Sequence, residues 1–358
     1  MSIIDDQNTI AERDPEGMRI HLERFPAQLA EALRLGRESA LHLDAGGISA
    51  VVAAGMGGSA IGGDLAAALL ADSMNVPLSV VRSYSLPAFV GKDTLVYVSS
   101  YSGNTEETLS AFSEAVERGA RVVCATTGGK LSELASEHGM DLITLPKGYP
   151  PRAALAFGLV PLLVVLARLG LAPEPDADVA DAVANAENGV RRFGPGSGRA
   201  DNLAKQIAEW LLGRTLAVYG SVPLTAAIAG RWCGQMAENA KLVAHRNELP
   251  EMNHNEIVGW SSSRPFGDSV GVVFLRDAGD HPRVAARIEI SGKIMEDGGT
   301  ETKVVSSFGR SPLARMLSLV QLGDYISLYL AVMRDIDPTP VAPIDRLKRA
   351  LADSRDLS

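Results

Sequence analysis

Short runs that are almost wholly apolar alternate with stretches of helical period along the first half of this chain, and that alternation limits the folds open to it. Residues 48–54 (ISAVVAA), 78–82, 94–99 (TLVYVS), 121–126 (RVVCAT) and 141–145 read as strands. A sheet with one wet face would alternate polar and apolar side chains. Runs greasy on both faces belong instead to a parallel sheet covered by helices on both sides. Helices are expected at 15–35, with Asp14 as a cap and Gly36 as a stop, and at 60–70, 105–118 and 131–138. The fold class is therefore α/β, an α-β-α sandwich around a parallel sheet.

The second half repeats the logic. Strands are expected at 215–219, 270–275 and 302–305, and helices at 202–212, 223–244, 282–295 and 312–333, with a Pro-rich turn and short helix over 335–357. Residues 172–178 (APEPDAD) and 194–198 (GPGSG) interrupt the pattern around a helix at 179–192. A single core rarely grows past about 250–300 residues, and this chain has 358. We expect a first domain over 1–171, a connecting helix and linker over 172–200, and a second domain with its C-terminal tail over 201–358.

Composition removes several function classes. Hydrophobic residues make up 46%, which excludes a largely disordered chain. The formal charge of −9 opposes nucleic acid and anionic membrane surfaces as bulk partners, without preventing a small anion from binding locally. Two cysteines, Cys124 and Cys233, are too few for a disulfide framework or a cysteine zinc cluster; they read as small buried residues and suit a reducing cytoplasm. The acidic N-terminus does not read as a secretory leader. The greasiest stretch, 155–171, carries Pro161 and Arg168 and is short for a span of about 20 apolar residues, so it reads as a buried helix.

Two turns carry the chemistry. Gly55-Met56-Gly57-Gly58-Ser59-Ala60 joins a strand to a helix, where glycines bring backbone N–H groups close to a ligand at the positive helix end. It lacks the lysine of a nucleotide-triphosphate loop. It also lacks the acid that dinucleotide binding wants about 20 residues on, since the next strand ends VVRSYS. The second turn, Ser99-Ser100-Tyr101-Ser102-Gly103-Asn104-Thr105, collects hydroxyls ahead of another helix. Capping needs only one hydroxyl. Several of them, beside a glycine turn from a neighbouring strand, describe a phosphomonoester pocket at the switch point of a doubly wound sheet.

GMGGSA and SYSGNTEET resemble the two phosphate loops of sugar isomerase (SIS) domains. The second half narrows the likeness. Glu238-Asn239-Ala240-Lys241, then Pro250-Glu251-Met252-Asn253-His254-Asn255-Glu256, then DPTPVAPIDRLKRAL near the end resemble the bifunctional phosphoglucose/phosphomannose isomerase family. The resemblance implies two tandem SIS domains and a homodimer whose active site lies between domains and subunits. It implies reversible conversion of glucose 6-phosphate or mannose 6-phosphate into fructose 6-phosphate, with no metal or organic cofactor.

Aldose–ketose conversion requires ring opening, a base that moves a proton between C1 and C2 through a cis-enediol(ate), and a cation beside the developing charge. The likeness assigns the base to Glu238. Arg231, Gln235 and Glu238 fall at i, i+4 and i+7 on one helix face, while Ile228, Trp232 and Met236 mark a more apolar side. Periodicity alone leaves that polar face equally open to solvation. His254, in a polar loop and of a side-chain type suited to proton transfer near neutral pH, takes ring opening by resemblance, in its own or the partner's pocket. Lys348, in IDRLKRAL, assists it. Arg152 follows Pro150-Pro151, which we expect to hold the loop extended, and would stabilise the enediolate. Gly57, Gly58 and Ser59 would face sugar and phosphate, and Ser100, Ser102 and Thr105 would bind the phosphate. Asn104 is expected to shape its turn. Three other classes fit less well: a sugar-phosphate sensor, which would not need Glu238 and His254; a hexosamine-phosphate synthase, which needs a glutaminase domain with an N-terminal cysteine; and a dinucleotide oxidoreductase.

Overall fold

The computed structural model describes residues 2–261 and 269–353. The chain opens with three helices, α1 (Gln7–Arg13), α2 (Met18–Glu23) and α3 (Phe25–Glu38). The single helix expected over 15–35 is thus divided at Arg24, just ahead of Pro26, whose nitrogen has no proton to continue the hydrogen-bond ladder. Asp14 does cap its start: the carboxylate accepts from the Met18 amide at 2.7 Å and the Arg19 amide at 2.9 Å.

Next come β1 (Ala50–Ala54), α4 (Gly57–Leu70), β2 (Leu78–Val81), β3 (Thr94–Ser99), α5 (Glu106–Glu117), β4 (Arg121–Thr126), α6 (Gly129–Glu137) and β5 (Asp141–Thr144). These strands make one parallel sheet in the order β2-β1-β3-β4-β5. β1 and β3 are buried throughout, as runs apolar on both faces require. Then follow α7 (Leu155–Arg168), α8 (Asp176–Phe193) and α9 (Leu203–Leu211). Every α7 residue from Leu155 to Ala167 is buried, which accounts for the greasiest stretch of the chain.

The second unit comprises β6 (Thr215–Ser221), α10 (Leu224–Glu238), β7 (His245–Leu249), α11 (Ile257–Trp260), β8 (Val270–Arg276), α12 (Pro282–Asp297), β9 (Thr302–Ser306), α13 (Pro312–Met333) and the terminal α14 (Ala342–Asp353). Its parallel sheet runs β7-β6-β8-β9, the same order as β2-β1-β3-β4. The fold is two tandem α/β units of one topology. The strand β7 was not expected, and α10 ends at Glu238 rather than continuing to 244, because Lys241 takes a left-handed backbone (φ 53°). Residues 354–357 of the expected C-terminal segment lie outside the described residues.

The helix α8, expected as a connection, packs on α3 and α13 and belongs to the shared core. Among the described residues one helix, α13, is long and apolar enough to cross a membrane by composition, and it is almost wholly buried inside the protein. It crosses α10 so closely that a Cβ on Gly323 would stand 2.3 Å from the Trp232 indole nitrogen. That indole donates to the Leu319 carbonyl at 2.9 Å. Cys124 is buried as expected, whereas Cys233 is only half-buried.

Candidate active site

The loops that leave β1 and β3 meet at the switch point of the first sheet, where β1 is flanked by β2 and β3. The glycine turn is tightly seated: a Cβ on Gly58 would lie 2.5 Å from the Pro151 carbonyl oxygen, so only glycine permits the approach. Ser59 ties the two loops, its Oγ accepting from the Tyr101 amide at 3.2 Å. In the second loop the Ser100 hydroxyl donates to Thr105 Oγ1 at 3.1 Å and accepts from the Gly103 amide at 3.1 Å. Ser102 is exposed. Thr105 precedes α5 but its side chain makes no capping hydrogen bond, so plain capping does not explain it. Asn104 does shape the turn, its Oδ1 accepting from the Lys130 amide at 3.0 Å.

Gly57 and Gly58 form one wall of a cleft of about 500 Å³, and α10 forms the opposite wall with Arg231, Gln235 and Glu238. Arg231 and Gln235 are buried, so this polar face is not a solvated one. Ile228, Trp232 and Met236 point the other way, into the core.

Arg152 also lines the cleft. Its loop is not extended as the two prolines suggested; Pro151–Ala153 coils into a 3-10 turn at the mouth of α7. The guanidinium is buried and held on nearly every side. Nε donates to Asn239 Oδ1 at 2.6 Å, and Nη2 donates to the Pro338 and Thr339 carbonyls at 2.8 and 2.7 Å. Only Nη1 faces a carboxylate, Glu238 Oε2 at 3.4 Å. Burial lowers the guanidinium's pKa from its ordinary value, and the Glu238 charge acts against that. Lys241 closes the corner, its ammonium donating to the Glu238 carbonyl and to the Pro338 carbonyl. Burial, reinforced by Arg152, lowers the lysine's pKa.

His254 and Lys348 are not brought to this cleft within one chain. His254 ends a 3-10 turn, exposed, and its imidazole makes no hydrogen bond among the described residues. Its loop is nonetheless firmly seated. Glu256 accepts from His245 Nε2 at 2.9 Å and Trp260 Nε1 at 3.1 Å, and also from the Tyr219 hydroxyl and the Asn247 amide. Lys348 lies on α14, which is exposed, with Ile344, Leu347 and Leu351 uncovered. Ser59, Ser100, Ser102 and Thr105 border the glycine loop rather than line the cleft itself. Sequence reasoning missed Asn239 and Lys241 as supports, although both stand in the motif that pointed to Glu238. It also missed the 338–339 carbonyls, which carry no side-chain signal.

Twin parallel α/β units, with a glycine turn and a hydroxyl turn at one switch point, define a protein of the sugar isomerase (SIS) class. Residues 200–351 match the family model of the bacterial phospho-glucose isomerase C-terminal SIS domain. The chain is 43% identical over 332 residues, 93% of its length and 98% of the relative's, to a bifunctional phosphoglucose/phosphomannose isomerase of Caldicellulosiruptor bescii. It is 42% identical over 84% of its length, and 90% of the relative's, to the protein of that name from Aquifex aeolicus. A hypothetical protein of Thermus thermophilus shares the fold, with a TM-score of 0.75 at 16% identity, over 98% of this chain and 94% of that one. The chain belongs to the bifunctional phosphoglucose/phosphomannose isomerase family.

Proposed function

We propose that this protein is an aldose–ketose isomerase that interconverts glucose 6-phosphate, mannose 6-phosphate and fructose 6-phosphate through a cis-enediol(ate). The observation that carries this reading is the pairing of Glu238 with Arg152 across a cleft walled by the glycine turn. The reaction needs a base beside C1 and C2 and a fixed cation beside the oxygens that gain charge. Glu238 is the base. Arg152 is the cation: Nε and Nη2 are already committed to protein acceptors, so Nη1 is the donor turned toward the reacting oxygens. Its 3.4 Å separation from Glu238 is long for a charge-assisted bond, as donors awaiting substrate often are.

The phosphate is bound by Ser59, Ser100, Ser102 and Thr105, with Gly57 and Gly58 against the sugar. Ring opening falls to His254 and Lys348 supplied by a second copy, for neither reaches the cleft of its own chain. The exposed apolar stripe of α14 and the anchored but exposed loop of His254 support a homodimer with shared sites. We draw the domains at 1–171 and 201–358, with 172–200 as the connection; the family model beginning at residue 200 supports the second boundary. The two unpaired cysteines suit a cytoplasmic location.

The test is formation of fructose 6-phosphate by purified protein from each aldose phosphate in parallel, with EDTA present. Turnover of both is expected. Binding without turnover of either would overturn the isomerase reading and leave a sugar-phosphate sensor.

A further inference from the structure

The helix α13 is apolar and buried for most of its length, yet it carries a carboxylate, Asp324, near its middle. An acid there is costly unless its charge is used, since burial of an ionised carboxylate must be offset by a partner. The partner is Arg231 on α10, whose Nη2 donates to Asp324 Oδ2 at 2.7 Å. Both side chains are more than nine-tenths buried. Burial pushes the Asp324 carboxyl up and Arg231 pulls it back.

The same Nη2 of Arg231 donates to the backbone carbonyl of Arg152 at 3.0 Å. One turn along α13, Ser327 repeats the arrangement. Its hydroxyl donates to the Asp324 carbonyl at 2.7 Å and accepts from Asn239 Nδ2 at 2.9 Å. Asn239 Oδ1 in turn accepts from Arg152 Nε at 2.6 Å. Two polar residues of α13, at i and i+3, therefore reach Arg152 through two polar residues of α10 and its C-terminal cap. One chain fixes its backbone and the other fixes its guanidinium.

We propose that Asp324 and Ser327 are positioning residues for the isomerisation, acting through Arg231 and Asn239 to hold Arg152 Nη1 against the reacting oxygens. This rests on the role given above to Arg152. Neither residue lines the cleft, so both act without touching substrate. A misplacement of about 1 Å in such a group costs on the order of 10²-fold in rate.

The test is a mutant cycle. Asp324→Asn is expected to lower kcat by about 10²-fold and Ser327→Ala by about tenfold, with KM for the sugar phosphates changed by no more than about twofold. In an Arg152→Lys background either change should add less than about twofold, because the group it positions is already gone. Full multiplication of the effects in the double variants would overturn the proposal, as would unchanged kcat in folded Ser327→Ala. Ser327→Ala keeps the test available if Asp324→Asn fails to fold. Titration with two probes separates this proposal from the isomerase reading. A five-carbon phosphorylated aldonate, whose carboxylate mimics the enediolate, should bind Ser327→Ala more weakly than wild type. A hexitol 6-phosphate, which lacks that charge, should bind both alike. If wild type binds the probes but does not isomerise, the functional reading fails while the probe comparison still decides the positioning role. Equal aldonate affinity in wild type and Ser327→Ala contradicts it.

Discussion

Glu238 Oε2 stands 3.4 Å from Arg152 Nη1, although 86 residues separate the two in the chain. The contact joins the last residue of α10 to the 3-10 turn before α7, and so joins the two tandem units across one cleft. The arginine is the fixed member of the pair. Its other two nitrogens are held by Asn239 and the carbonyls of Pro338 and Thr339, whereas Glu238 is partly exposed. A rigid cation facing a freer carboxylate is what a proton shuttle beside a developing oxyanion requires.

Lysine in place of Arg152 keeps the charge but cannot satisfy Asn239, Pro338 and Thr339 in one plane. Arg152→Lys is expected to lower kcat by about 10²–10³-fold, the usual cost of one oxyanion donor, with KM little changed. Steady-state kinetics with both aldose phosphates measure this. An unchanged kcat would remove Arg152 from the reaction.

If the cleft of one chain is completed by His254 of another, two dead variants should rescue each other. Mixed Glu238→Gln and His254→Ala chains, allowed to exchange subunits, would carry one intact site in each mixed dimer. Random pairing then restores about a quarter of wild-type activity. Failure of rescue in dimers shown to have exchanged would place His254 in its own chain's site or outside the reaction.

Gly58 has no room for a side chain, since a Cβ would sit 2.5 Å from the Pro151 carbonyl oxygen. Gly58→Ala must push the glycine turn away from the turn that carries Arg152. The expected loss is about 1–3 kcal/mol of stability, read by chemical unfolding, together with weaker inorganic phosphate binding. Gly234, which lines the same cleft but has open space beyond its Cα, serves as the control for stability.

Burial pushes the Glu256 carboxyl up, but donors from Tyr219, Asn247 and His245 together outweigh it and hold the pKa below the ordinary carboxylate range. The folded state then binds fewer protons than the unfolded state in mild acid. Its contribution is fully present above the unfolded value of about 4.3 and is lost as pH falls through the lower folded value. The gap in melting temperature between wild type and Glu256→Gln should be widest near neutrality and shrink below about pH 4. A gap independent of pH would mean that the carboxylate charge does not anchor this loop.

Much of this architecture was legible because local chemistry dictated it. The bounds of β3, β4 and α13 coincide with the apolar runs that announced them. The polar face of α10 was legible as a face, but not as a buried one; its burial depends on α4 and α13, distant in sequence. β7 was missed because HRNEL is polar. Among the described residues it lies at a sheet edge and pairs with β6 alone, so it needs no apolar run. Asp324 gave no signal, for a single acid in an apolar helix acquires meaning only from Arg231, 93 residues away. His254 and Lys348 were singled out by motif alone, and one chain does not bring them to the cleft.

Conversion of glucose 6-phosphate and of mannose 6-phosphate in deuterium oxide, followed by NMR, tests the central claim most directly. The account predicts that fructose 6-phosphate forms from both, with solvent deuterium entering at the carbon that gains hydrogen, and that Glu238→Gln abolishes turnover and deuterium entry together while still binding phosphate. Isomerisation persisting in Glu238→Gln, or sugar phosphates bound by wild type without any fructose 6-phosphate, would contradict it.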